Sequence, residues 1–151
     1  MLRETLSEAM KAAMRAKDQV TLRTVRLIMA AIKDRDIAAR GNGKPEGLDD
    51  GEIQSLLVTM IKQRRDSITQ YEAGGRPELA AGEAEEIAVI ERFLPRQLDD
   101  AEMEAAIDEA IKASEATCIK DMGRCMAELK ARFAGQMDFT KASAIVRKKL
   151  G

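Results

Sequence analysis

Lys120, Arg124, Lys130, Arg132, Lys141, Arg147 and Lys148 fall at helical spacings near the end of the chain. Cations so arranged suit the holding of phosphates rather than the making or breaking of bonds. With Lys149 there are eight bases from Lys120 onward against three acids, Asp121, Glu128 and Asp138, a local excess of five positive charges. Leu48 to Ile119 holds seventeen acids and seven bases, and the first 47 residues hold ten bases and six acids. The formal net charge of −1 thus conceals a segregation of sign along the chain, a pattern that points to a polyanionic partner.

Catalytic sets are scarce. The chain has no histidine, which removes the commonest general base and every Ser-His or Cys-His pair, so hydrolysis by a triad is excluded. Cys118 and Cys125 lack the His partners of a zinc set and read as small, reduced, apolar side chains. Glu83, Glu85, Glu86 and Glu91 show no paired-carboxylate spacing, and no Gly-Lys-Ser/Thr pattern follows the glycines between Arg40 and Gly47. We assign no catalytic residue, no metal ligand and no cofactor.

Each cationic feature carries two readings. Lys141 and Lys148, seven residues apart, share one side of a helix whose Ile145 and Leu150 hold another, and Arg147 widens that patch. The same Arg147-Lys148-Lys149 run suits a helix C-terminus through the macrodipole alone. Arg124, Glu128 and Arg132 form either part of a phosphate-binding surface or a salt-bridged solvent face. Gly123, in the first turn of a helix, costs up to about 1 kcal/mol relative to alanine. It is accounted for by close approach of a neighbouring helix or of an RNA backbone. Lys62, Arg65 and Asp66 read as a solvated face, whereas Arg64 lies nearer Ile61 and Ile68 and is expected to bury its stem or pair with an acid of the following helix.

The elements that position these residues are all helical. Leu2, Leu6, Ala9, Met10 and Ala13 recur with helical period, Lys17-Asp18 breaks it, and Leu22, Val25, Met29 and Ile32 resume it. Arg40 to Gly47 reads as an exposed loop. Asp49 or Asp50 caps a third helix through Ile53, Leu57, Met60, Ile61, Ile68 and Tyr71, ended by Gly74-Gly75. Pro77 opens a fourth with Leu79, Ile87, Ile90 and Phe93, stopped at Leu94-Pro95. Asp99 or Asp100, Asp121 and Asp138 then cap three shorter helices, with Gly135 placed to end the second of them. The expected fold is all-α: a helical N-terminal domain of about four helices at residues 1–94, then a small three-helix domain at 95–151. No run approaches the roughly 18 apolar residues of a membrane span, Met1-Leu2-Arg3-Glu4 has no signal-peptide core, and the expected compartment is the cytoplasm.

Lys62-Gln63-Arg64-Arg65-Asp66-Ser67-Ile68, the run from Glu85 to Leu98, and Asp121-Met122-Gly123 with the later Gly135 and Val146-Arg147 resemble the GatB/YqeY family over nearly the whole chain. The resemblance implies that the last three helices are similar to the tail domain of the B subunit of the glutamine-dependent tRNA amidotransferase, which contacts tRNA away from the reaction centre. It associates the chain with carbon–nitrogen ligase activity using glutamine as amido-N-donor. The glutaminase nucleophile, ATP site and ammonia path of such an enzyme are not visible here, so the implied role is that of an accessory. The expected function is tRNA binding through Lys120, Gly123, Arg124, Lys130, Arg132, Lys141, Arg147 and Lys148, beside a protein of the translation or aminoacylation machinery. Few aromatic residues favour structured over single-stranded RNA. The alternative is a helical protein-docking module without RNA.

Overall fold

Four helices and then three shorter ones, with no strand, make up the computed structural model, which describes residues 1–151. They are α1 (Leu2–Ala16), α2 (Gln19–Gly41), α3 (Asp50–Ala73), α4 (Pro77–Glu91), α5 (Asp100–Ala113), α6 (Met122–Phe133) and α7 (Phe139–Leu150), with a 3₁₀ turn at Ile119–Asp121 before α6. The chain divides into two compact units, Met1–Pro95 and Arg96–Gly151.

In the first unit, short polar signals set the helix ends. Lys17 adopts a left-handed conformation that closes α1, and Asp18 at once caps α2 by accepting from the Thr21 amide and hydroxyl. Asp49, not Asp50, caps α3, in a reciprocal capping box with Glu52. Gly75, at φ 71°, turns the chain from α3 into Pro77, the first residue of α4. Arg40 and Gly41 continue α2, so the loop is shorter than its glycine content suggests.

The core of this unit gathers one side of each helix: Leu6 from α1, Val25 and Ile28 from α2, Ile53 and Leu57 from α3, Ile90 from α4. Each such aliphatic side chain contributes about 1.5–3 kcal/mol on burial. Leu79 does not join them; it is exposed in the first turn of α4, although its spacing of eleven residues from Ile90 puts it on the same side of the helix. Arg64 pairs with Glu86 of α4 at 2.8 Å, as its place beside Ile61 and Ile68 led us to expect. Glu86 also lies 3.6 Å from Arg23, so one carboxylate ties α2, α3 and α4.

A second polar tie was not visible in the sequence. Asp36, buried on α2, accepts from both terminal nitrogens of Arg3 and from the Leu48 amide, and Arg3 also donates to the Leu48 carbonyl. It fastens the start of α1, the last third of α2 and the end of the following loop together.

The second unit has its own core, centred on Ile107, Cys125, Leu129, Ala142 and Val146. Asp99 and Glu102 form another capping box at α5, and Asp138 caps α7 through the Thr140 amide. Asp121 departs from the expected role. Its carboxylate turns back to the Thr117 and Cys118 amides and makes no capping bond to α6. The 3₁₀ turn leaves it better placed for the amides before it than for those ahead. Gly135, at φ 74°, lies just beyond the end of α6, in the turn to α7.

Candidate nucleic-acid interface

The direction of α5, α6 and α7 decides which cations meet. Lys141 reaches Asp100 at 2.7 Å and Lys149 reaches Asp108 at 2.8 Å, so α5 and α7 run parallel. The Leu98 amide donates to the Gln136 carbonyl, and Gln97 to that of Gly135, so the start of α5 meets the turn between α6 and α7. At the other end, a side chain on Gly151 would lie 3.5 Å from Ile119 Cδ1, which sets the last turn of α7 against the 3₁₀ turn. α6 therefore runs antiparallel to both neighbours.

This topology sorts the candidate residues into two groups. Lys120 in the 3₁₀ turn, with Gly123 and Arg124 at the start of α6, shares one end of the unit with Arg147 and Lys148 at the finish of α7. Lys130, Arg132 and Lys141 belong towards the opposite end. Along α7, Lys141 and Lys148 share a side but stand roughly 10 Å apart at 1.5 Å per residue.

The ion pairs sort them again. Lys141 is engaged by Asp100, and Lys149 by both Glu104 and Asp108, whose carboxylates push its pKa up. Arg124 pairs with Asp121 at 3.1 Å, and Arg132 with Glu128 at 2.8 Å, the salt-bridged alternative for that face. Lys120, Lys130, Arg147 and Lys148 are exposed and form no ion pair within the chain.

The whole unit holds ten bases and ten acids, so the excess seen from Lys120 onward is balanced by α5. What remains is local: four free cations, Lys120, Arg147 and Lys148 with Lys112 in the last turn of α5, Arg124 beside them, and Glu109 and Glu115 as exposed acids at the end of α5. Ile119 stands among them half exposed, an apolar surface able to meet a base or sugar.

Gly123 settles one alternative. A Cβ built there meets nothing within 4 Å, so helix packing does not require glycine at this position. The first turn of α6 presents an exposed backbone beside the cations. The thiols differ: Cys118 is exposed, and Cys125 is buried, with burial raising its pKa.

Comparison with known proteins places relatives beside this geometry. The family profile described as "Yqey-like protein" matches residues 3–150. The chain is 30% identical over 103 residues to "Altered inheritance of mitochondria protein 41, mitochondrial" of Saccharomyces cerevisiae, covering 68% of this chain and 52% of the relative. The protein of that name from Lachancea thermotolerans is 31% identical over 108 residues, covering 70% and 56% respectively. The chain thus spans about half the length of the curated relatives it matches. No helix is long and apolar enough to cross a membrane.

Proposed function

Because the chain belongs to the YqeY-like family, we propose that it is a non-catalytic accessory protein that holds tRNA at the cationic end of its second unit. The carrying observation is the convergence of Lys120, Arg147 and Lys148, none with an ion-pair partner in the chain, from separate elements onto one end. Arg124 and the open backbone at Gly123 extend the contact. Lys130 adds a phosphate contact farther along α6, whereas Arg132 and Lys141 must first leave their carboxylates.

Such a surface positions phosphates and supplies no sequence readout. Its link to amidation is through tRNA, as a companion of the translation or aminoacylation machinery, and it performs no carbon–nitrogen ligation by itself. The compartment we assign is the cytoplasm; the matched yeast relatives are named mitochondrial, and cell fractionation of the native protein separates the two.

The test is equilibrium binding of the full chain to unfractionated tRNA and to purified glutamate and glutamine tRNAs across a salt series. Four released counterions, for Lys120, Lys130, Arg147 and Lys148, predict that affinity falls about 50- to 150-fold between 50 and 200 mM salt. A Lys120→Glu, Arg147→Glu, Lys148→Glu variant, with unchanged helicity, should lose binding, while Lys141→Gln should retain most of it. Absence of binding at low salt, or full binding by the triple variant, overturns the proposal.

A further inference from the structure

The outer side of α2 is built differently from that of any other helix in the first unit. Leu27, Ala30, Asp34 and Ile37 recur there at three- and four-residue steps, with Leu27 43% and Ile37 57% exposed. Two depressions border this stripe. One, of about 360 Å³, lies where Met29, Ala30 and Lys33 face Arg3 and Leu6 of α1. The other, of about 270 Å³, is bounded by Leu22, Arg26 and Leu27.

Charge selects the occupant. Arg26 and Lys33, seven residues apart, line one edge of the stripe, are exposed, and form no ion pair in the chain. Arg23 is only loosely held, 3.6 Å from Glu86, and Asp34 is the single acid within the stripe. A strip of nearly three helical turns, apolar but for Asp34, with unpaired cations along one edge complements a second helix bearing apolar residues at the same steps and acids along the facing flank. A second copy of this chain does not supply one, because its acidic helices α4 and α5 turn Ile87, Ile90, Met103 and Ile107 into their own cores.

We infer that the outer face of α2 is a docking site for an acidic amphipathic helix of a partner protein. The site uses no residue of the tRNA surface, so each stands or falls separately.

The probe is a designed helical peptide of about 18 residues, long enough to cover five turns, with leucines at three- and four-residue steps and glutamates on the flanks. Its binding to the full chain is followed by fluorescence anisotropy. A peptide with lysines in place of the glutamates, and a scrambled peptide of the same composition, serve as comparisons. Binding of the acidic peptide should weaken roughly tenfold or more with Arg26→Glu, Lys33→Glu and with Leu27→Ser, Ile37→Ser. It should be unchanged by Lys148→Glu. All four substituted side chains on α2 are exposed, so folding is preserved. Equal binding by the basic or scrambled peptide, or indifference to both α2 variants, overturns the inference. So does self-association of the free chain that Leu27→Ser, Ile37→Ser abolishes, because a second copy would then be the occupant.

Discussion

At Gly47 the backbone takes φ +77°, and a side chain there would press directly into the Asp36 carboxylate. Replacement by alanine combines left-handed strain with displacement of a buried charge, and should cost about 1–3 kcal/mol in urea unfolding. Gly43, at φ +86° but with open space around it, should cost less, and the difference isolates the Asp36 contact. Asp36 itself makes a pH prediction. The Arg3 guanidinium, and then the Leu48 amide, hold its carboxyl down to about 2. A depressed carboxylate stabilises the fold fully above its unfolded pKa of about 3.9, and that contribution disappears as pH falls towards 2. It amounts to about 1–2 kcal/mol once screening at the partly exposed Arg3 is allowed for. Asp36→Asn should be less stable at neutral pH and should lack this part of the acid-induced loss.

At the scale of elements, the capping boxes at Asp49 and Asp99 are the simplest prediction: either aspartate changed to alanine should cost about 1 kcal/mol, read as a lowered midpoint in thermal or urea unfolding. These helix starts were legible to within one residue from the pairs Asp49-Asp50 and Asp99-Asp100, and Glu52 and Glu102, three residues beyond the first of each pair, are the signal that distinguishes them. Arg64 with Glu86 was legible as a pairing between neighbouring helices. Arg3 with Asp36 was not, because 33 residues separate them and nothing local marks Asp36 as buried. The engagement of Lys141 and Lys149 was hidden for the same reason, since their partners lie on α5 and follow from its parallel course beside α7. Asp121 misled because the rule for a cap looks forward along the chain, whereas its carboxylate found amides behind it.

At the scale of the whole molecule, the two hydrophobic cores share no residue. Leu129→Ala removes a fully buried side chain from the second core and should cost that unit about 2–5 kcal/mol. Hydrogen exchange should show faster exchange for α5, α6 and α7 while amides around Leu57 keep their protection. The family and the all-helical fold were readable from the chain, whereas the candidate surface was only partly so. Composition supplied its cations, but their division into two ends, and into free and engaged, depends on helix direction.

The unequal burial of the two cysteines makes the native chain its own reporter. A maleimide dye should attach once, at exposed Cys118, and leave Cys125 untouched. Cys118 adjoins Ile119 and Lys120, so the fluorophore would sit at the rim of the cationic end and register an arriving ligand through its emission, without any engineered labelling position.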